Sequence, residues 1–497
     1  MYNFFRKVFL GVFLFSIMLA SNVLYAMWNY SFDSGQYGYI NDGNWCLEVW
    51  FPGDDTSRLT ITSVDQAKTV NESLLNLADN VSDGKKIVAI NPSIFASRVN
   101  ILRVTLPNTL ESIGQSAFEH CTQIIEVSPF LPSSVTTIGP FAFQYCSAIT
   151  NALVLSNKNL ETIGAYAFRC MNNIGPIDCE NSGIKVIGIY AFTVSKFPSI
   201  ILSDCLEIVG QSAFESCSAV TNVSPFLPSS VTNIGLYAFQ SCSAITNALV
   251  LSNKNLETIS SRAFYCNSLI RSVDMSTSGV KHIGSEAFVN ITNMVSLKLS
   301  DYVETVDAAA FEGCKALENV DPFLPSSIKY VGSYAFQTCP ITTPLVLDSE
   351  NPATWGINIF RSTKIPTVFF GVGMTNIDMV NAFGDYNIPI TNVWFCGNSP
   401  TYISSLFLYV YNNHFLAIFY IPVGDTTWDG FRSGLMPLTD GSINPNDNEL
   451  QDFKSKYPNE KATPIGKFIP WGASYYQYVC EWRPPDKSNK VTVIIIK

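Results

Sequence analysis

The dipeptide Ala-Phe recurs through the middle of this chain with a regularity that composition alone does not produce. Its Phe falls at positions 118, 143, 168, 192, 214, 239, 264, 288, 311 and 336, so the gaps run only from 22 to 25 residues. Looser copies flank the series, Asn91-Pro-Ser-Ile-Phe95 before it and Ile357-Asn-Ile-Phe360 after it. A fixed period in this range marks a solenoid. Each repeat is one coil that cannot bury its apolar residues alone and does so by stacking on its neighbours. The spacing predicts about twelve coils of 22–25 residues.

A longer period lies above the first. The stretch CSAITNALVLSNKNLETI runs from Cys146 to Ile163 and again, letter for letter, from Cys242 to Ile259. Phe118, Phe143, Phe168 and Phe192 each have a counterpart 96 residues on. A block of four coils has therefore been duplicated. A more diverged third copy starts near Asp301, and Pro-Phe-Leu-Pro-Ser-Ser at 129, 225 and 322 marks one coil of each block.

Within one unit, Cys121 to Phe143, apolar residues recur at Ile124, Val127, Leu131, Val135, Ile138 and Ala142-Phe143. Pro129, Pro132 and Gly139 break any helix through this stretch. The pattern predicts a short strand between Ile124 and Leu131 and a tight turn at Pro132-Ser-Ser. A second extended piece follows from Val135 to Ile138, then a short helical or 3₁₀ turn at Ala142-Phe143.

The run from Leu106-Pro107 through Ile113-Gly114 and Ala117-Phe118 to Cys121 resembles the BspA-type, or Treponema-type, leucine-rich repeat. The likeness extends over residues 84–370. It implies a leucine-rich-repeat solenoid with a parallel β-sheet on one face, short strands and 3₁₀ or helical turns on the other, and β-rich flanking modules. Phe395-Cys-Gly397-Asn398-Ser-Pro400 and Tyr420-Ile-Pro422-Val-Gly424-Asp425-Thr-Thr-Trp428 resemble a divergent terminal module of the same family. The expected organisation is a signal peptide (1–26), an N-terminal β-rich cap (27–83), the repeats (84–370), the divergent module (371–440) and a C-terminal β-rich segment (441–497).

Export is read from the N-terminus. Arg6 and Lys7 precede an apolar run, Val8 to Ala20, broken only by Gly11 and Ser16, and the small Ala26 offers a cleavage point. The run is short for a membrane span. A secreted or cell-surface chain, cleaved near Ala26, is the expectation. Hydrophobic residues make up 47% of the sequence and charged residues 14%, ample for a large core. A net charge of -10 disfavours binding to phosphate backbones, so no nucleic-acid partner is expected.

Catalytic signatures are missing from the sequence. The three histidines, His120, His282 and His414, form no HExxH, and there is no G-x-S-x-G, Walker loop or dinucleotide fingerprint. Asn444 to Glu449 is acidic but lacks the spacing of an EF-hand. Eight of the thirteen cysteines follow the repeat Phe by two or three residues. A metal or disulfide ladder is one reading of them; buried thiols packing as small apolar groups is the favoured one. Ser195 and Ile291 interrupt the series, and Ile cannot ligate a metal. Cys46, Cys179, Cys205, Cys396 and Cys480 lie off the pattern and are left unassigned. No catalytic, cofactor or metal residues are predicted, and the chain is not expected to be an enzyme.

The candidate site is the exposed face of the coils. Strand alternation sets Glu126, Ser128 and Phe130 opposite the inward Val127, with Asn222, Ser224, Phe226, Asn319, Asp321 and Phe323 as their equivalents. Thr150, Asn151, Thr246 and Asn247 are expected on the same side. Phe130, Phe226 and Phe323 serve there as anchors unless they turn inward. The family resemblance implies binding to extracellular or cell-surface proteins, in adhesion or host interaction. The alternative is glycan binding through Trp471, Tyr475, Tyr476, Tyr478 and Trp482 as stacking platforms.

Overall fold

The computed structural model describes most of residues 29–396, with gaps at 35–36, 52–56, 67–68, 70–72, 78–80, 225–226, 348–353, 372–375, 378–381, 384–389 and 391. Beyond these it describes 402–403, 418–422, 426–429, 436–437, 463–468 and 477–482. The expected signal peptide lies outside the described residues. The chain divides into two compact units, Met1–Gly183 and Ile184–Lys497. It is a β-solenoid of about thirteen turns with a repeat of about 24 residues, the leucine-rich-repeat fold.

The first unit opens with an antiparallel meander of Asn29–Ser34, Tyr37–Asn41, Cys46–Trp50 and Arg58–Val64. Arg58–Val64 then pairs in parallel with Lys86–Ile90, and from there the ladder continues parallel through Ser112–Ile113, Thr137–Ile138 and Thr162–Ile163. A second parallel ladder joins Leu74–Asn76, Arg103–Thr105 and Glu126–Ser128. Each coil thus contributes two very short strands, one residue of each pointing inward. Ile113, Ile138 and Ile163 fill one row and Leu75, Val104 and Val127 the other, all buried. The Gly after the Ile follows from the closeness of the coils. A Cβ on Gly139 would stand 2.5 Å from the backbone nitrogen of Gln115, leaving no room for any side chain.

The second unit repeats this plan. One parallel ladder runs from Val186–Ile187 through Ile208–Val209, Asn233–Ile234, Thr258–Ile259, His282–Ile283, Thr305–Val306 and Tyr330–Val331 to Thr354–Trp355. The other includes Leu249–Val250, Ser272–Asp274, Ser296–Lys298 and Asn319–Asp321. After these the strands lengthen. Leu345–Leu347, Thr367–Phe370, Asn392–Phe395, Ile418–Pro422 and Gln477–Trp482 pair in parallel, and Thr463–Phe468 and Met436–Pro437 close the sheet antiparallel.

The repeat Phe forms the spine of each unit. Phe95, Phe118, Phe143 and Phe168 stack at centroid separations of 5.1, 5.2 and 5.7 Å. In the second unit the stack runs from Phe192 to Phe360 and continues to Phe383 at 5.0 Å. Ala382-Phe383 is a further copy of the dipeptide, 23 residues after Phe360, which the sequence reading passed over.

The turn around Ala-Phe has bonds of 3₁₀ spacing but does not continue as a helix. Ala142 N–H donates to Gly139 O and Cys146 N–H to Phe143 O, while the N–H groups of Phe141, Phe143 and Tyr145 reach to Ala165, Ala167 and Arg169 O of the next coil. Alternate residues therefore bond locally and across. The crossing geometry sets Phe141 and Tyr145 at φ 60° and 62°. For bulky L-residues this region costs about 1–2 kcal/mol each, and the inter-coil ladder offsets it.

Candidate functional site

Two exposed faces stand on this frame, and the strand face is the one the sequence predicts. Glu126, Ser128, Asn222, Ser224, Asn319, Asp321, Thr150 and Thr246 are exposed; Asn151 and Asn247 are half-buried. Several of these bond to the preceding coil. Asn151 Oδ1 accepts from Val127 N at 3.0 Å, and Asn247 does the same from Val223 N at 3.4 Å while its Nδ2 donates to Asn222 Oδ1. Thr150 and Thr246 hydroxyls donate to the carbonyls of Ile125 and Thr221. Arg103 and Glu126 pair at 3.4 Å.

Phe130 and Phe323 leave the candidate set. They are only 5% and 4% exposed. Phe130 meets Phe143 and Phe168 edge to face at 5.5 and 6.2 Å, and Phe323 meets Phe336 and Phe360 at 5.4 and 5.7 Å. The reason is local: the strand ends at Ser128, so its alternation stops before Pro129 and the next side chain turns inward. Phe226, Trp471, Tyr475 and Tyr476 lie outside the described residues. Tyr478 and Trp482 stand in Gln477–Trp482, which is described by its backbone alone.

The repeat cysteines divide by spacing. Those three residues after the Phe are buried, and each thiol donates to a Phe carbonyl of the preceding coil: Cys121 to Phe95, Cys146 to Phe118, Cys217 to Phe192, Cys242 to Phe214, Cys314 to Phe288 and Cys339 to Phe311, at 2.9–3.2 Å. Burial pushes the Cys121 and Cys242 thiols up to about 12, so they stay protonated as donors. The equivalent residue after Phe264 is Asn267, fully buried, and neither of its amide atoms has a hydrogen-bond partner among the described residues. Cys170 and Cys266, two residues after the Phe, are half-buried. No group of three His, Cys, Asp or Glu among the described residues could hold a metal ion.

The turn face was not anticipated. Residues two positions either side of the repeat Phe carry positive φ and recur in two columns, most of them exposed or half-buried, though Ser116 and Ser212 are buried. In the first unit, Phe141 lies on Tyr166 at 4.8 Å and His120 on Tyr145 at 4.5 Å. The Arg169 guanidinium lies between the columns, 5.5 Å from the Tyr145 ring centroid and 5.9 Å from that of Tyr166, and its Nη1 donates to Tyr145 Oη at 2.9 Å. In the second unit, Arg262 lies 5.9 Å from Tyr237 and 5.5 Å from Tyr265. There Glu286 accepts both Nε and Nη2 of Arg262 at 2.9 Å, and this bond holds the guanidinium pKa above its ordinary value. The sequence signal was the aromatic residue recurring at 141, 166, 190 and 237.

The sequence matches the family described as BspA type leucine-rich repeat region over residues 88–221, 185–318 and 281–413. The matches cover well over half of the chain, which belongs to this family. No curated protein matches it. Among solved structures it is similar to a leucine-rich repeat protein from Bacteroides ovatus, at 19% identity, over 73% of this chain and 94% of that one, with a TM-score of 0.40. It is also similar to a leucine rich cell surface protein from Faecalibacterium prausnitzii, at 18% identity, over 74% and 96%, with a TM-score of 0.36. The pneumococcal vaccine antigen PcpA is similar at 13% identity, over 79% and 96%, with a TM-score of 0.38. No helix among the described residues is long and apolar enough to cross a membrane.

Proposed function

We propose that this protein is an exported surface protein that binds other proteins through the exposed residues of its repeats. One observation carries the reading. At equivalent positions of the three blocks the inward residue is always Val, at 127, 223 and 320, while its exposed neighbours change, from Glu126 to Asn222 and Asn319 on one side and from Ser128 and Ser224 to Asp321 on the other. A scaffold that holds its core fixed and varies its surface suits recognition, and membership of the BspA-type family supports it. Binding requires no chemistry of the site, and among its described residues no nucleophile–base pair is seen.

The test is binding of the purified protein to a panel of extracellular-matrix proteins by surface plasmon resonance. A ligand found there should lose at least about tenfold in affinity to the triple variant Glu126→Lys, Asn222→Lys, Asn319→Lys, because rim charges of the wrong sign are unfavourable. Unchanged affinity in that variant would remove the strand face from the function. Hydrolysis of any panel protein would point to an enzyme instead.

A further inference from the structure

We infer that the turn face around Arg169 is a second binding site, one that receives a carboxylate side chain from a protein partner. This goes beyond the strand-face reading and uses none of its residues.

The comparison within the chain carries the inference. Arg262 stands one block on from Tyr166, and Tyr265 one block on from Arg169, so the arginine and the tyrosine have changed places. In both copies a guanidinium lies against two tyrosine rings. In the second copy Glu286 closes the arrangement with a two-pronged bond to the arginine. Glu286 is the residue one coil on from Arg262 at the same position of the turn, whereas the residues one coil either side of Arg169 at its own position are the neutral Gln144 and Thr193, so the first copy supplies no carboxylate there. Among the described residues no carboxylate pairs with Arg169. Glu119, in the same column two coils earlier, has its Oε1 3.8 Å from His120 Nε2. Arg169 Nε is buried with no hydrogen-bond partner among the described residues, so an incoming carboxylate would meet the terminal nitrogens of the guanidinium.

The second copy therefore shows what completes this geometry. A planar guanidinium braced by aromatic rings recognises a carboxylate through two parallel bonds. Tyr and Arg are also the side chains that most often dominate protein interfaces. The cluster is rigid before binding, because its rings are stacked and the Tyr145 hydroxyl holds Arg169, so little ordering entropy is lost on contact. In the second copy the arginine already holds its carboxylate from within the chain.

The experiment uses the full chain and a fluorescein-labelled alternating Glu-Gly decapeptide, with the Gln-Gly decapeptide as its uncharged counterpart, read by fluorescence anisotropy. The wild-type protein should bind the Glu-Gly probe at least about tenfold tighter than the Gln-Gly probe. Arg169→Gln should abolish that preference, and Arg262→Gln should leave it intact. Thermal melts establish that the variants are folded. Should Arg169→Gln not fold, Tyr145→Phe, which removes only the hydroxyl that holds the guanidinium, should still weaken the Glu-Gly probe by about threefold. Equal affinity for the two probes overturns the proposal, as does a preference that survives Arg169→Gln. So does binding of sialyllactose without binding of the Glu-Gly probe, which would make the ligand a sugar acid. The strand-face triple variant should retain the preference, so failure of one site is separable from failure of the other.

Discussion

Phe141, Tyr145, Tyr166 and Arg169 have their counterparts in Tyr237, Ser241, Arg262 and Tyr265. Between Ser128 and Ile163 the two copies of the block differ only at 137, 140, 141 and 145, and immediately after Ile163 they part at 164, 165, 166, 169 and 171. The backbone at these sites is the same, with positive φ at Phe141 and Tyr145 and again at Tyr237 and Ser241. The difference is in what the side chains do with one arginine. One copy satisfies it internally with Glu286; the other holds it half-buried between rings, with no carboxylate partner among the described residues. A duplication that began as extra length has become two surfaces with different charge chemistry, while the Phe row beneath stayed fixed.

The equivalence of the two cores can be broken most severely at the phenyl stack. Phe143→Ala and Phe239→Ala remove rings that are 0% and 1% exposed, and each should cost about 3–5 kcal/mol in urea or thermal denaturation. Costs differing by more than about 1 kcal/mol would show that the copies are not mechanically alike. Next come the glycines. Gly139→Ala and Gly235→Ala would each press a methyl to 2.5 Å from a backbone nitrogen of the preceding coil, Gln115 in one case and Gln211 in the other. A loss of about 1–3 kcal/mol is expected in both, read as a lowered melting temperature.

Swapping residues between copies sharpens the contrast. The side-chain amide of Asn267 is buried with no hydrogen-bond partner among the described residues, where the first copy has the buried Met171. Asn267→Met should therefore stabilise the protein by about 1–3 kcal/mol, since it removes an unsatisfied amide; a fall in melting temperature would mean that the amide has a partner after all. The smallest effect belongs to the ion pair. Arg262 and Glu286 are 42% and 33% exposed, so Glu286→Gln should cost no more than about 1 kcal/mol. A larger loss would show that the pair braces the turn rather than merely satisfying the arginine.

The coil itself was legible because one dipeptide and one Ile-Gly pair set its core, and stacking makes the same demand of every copy. Ala382-Phe383 carried the same signal at a normal gap of 23 residues after Phe360. Parity failed at Phe130. Reading 126, 128 and 130 as one side assumes a strand that continues, and this one stops at Ser128. The strand-face residues Glu126 and Ser128 followed from alternation alone. The turn-face cluster did not, because its placement depends on residues of opposite backbone hand on either side of the Phe, and neither helix nor strand periodicity predicts which side chains those geometries bring together.

Trp45 meets Phe95 edge to face, at 5.8 Å and 81°, and its indole N–H donates to Leu74 O. The repeat Phe rings from Phe95 to Phe168 each offer a flat face to another just like it. A set of couplings with translational symmetry carries no information about how many there should be, which is how a block of four could be copied whole without disturbing either neighbour. The tally of coils has to be fixed by something that breaks the symmetry. The turned indole does so at one boundary: it presents no parallel face to copy, and so it makes the first coil the first.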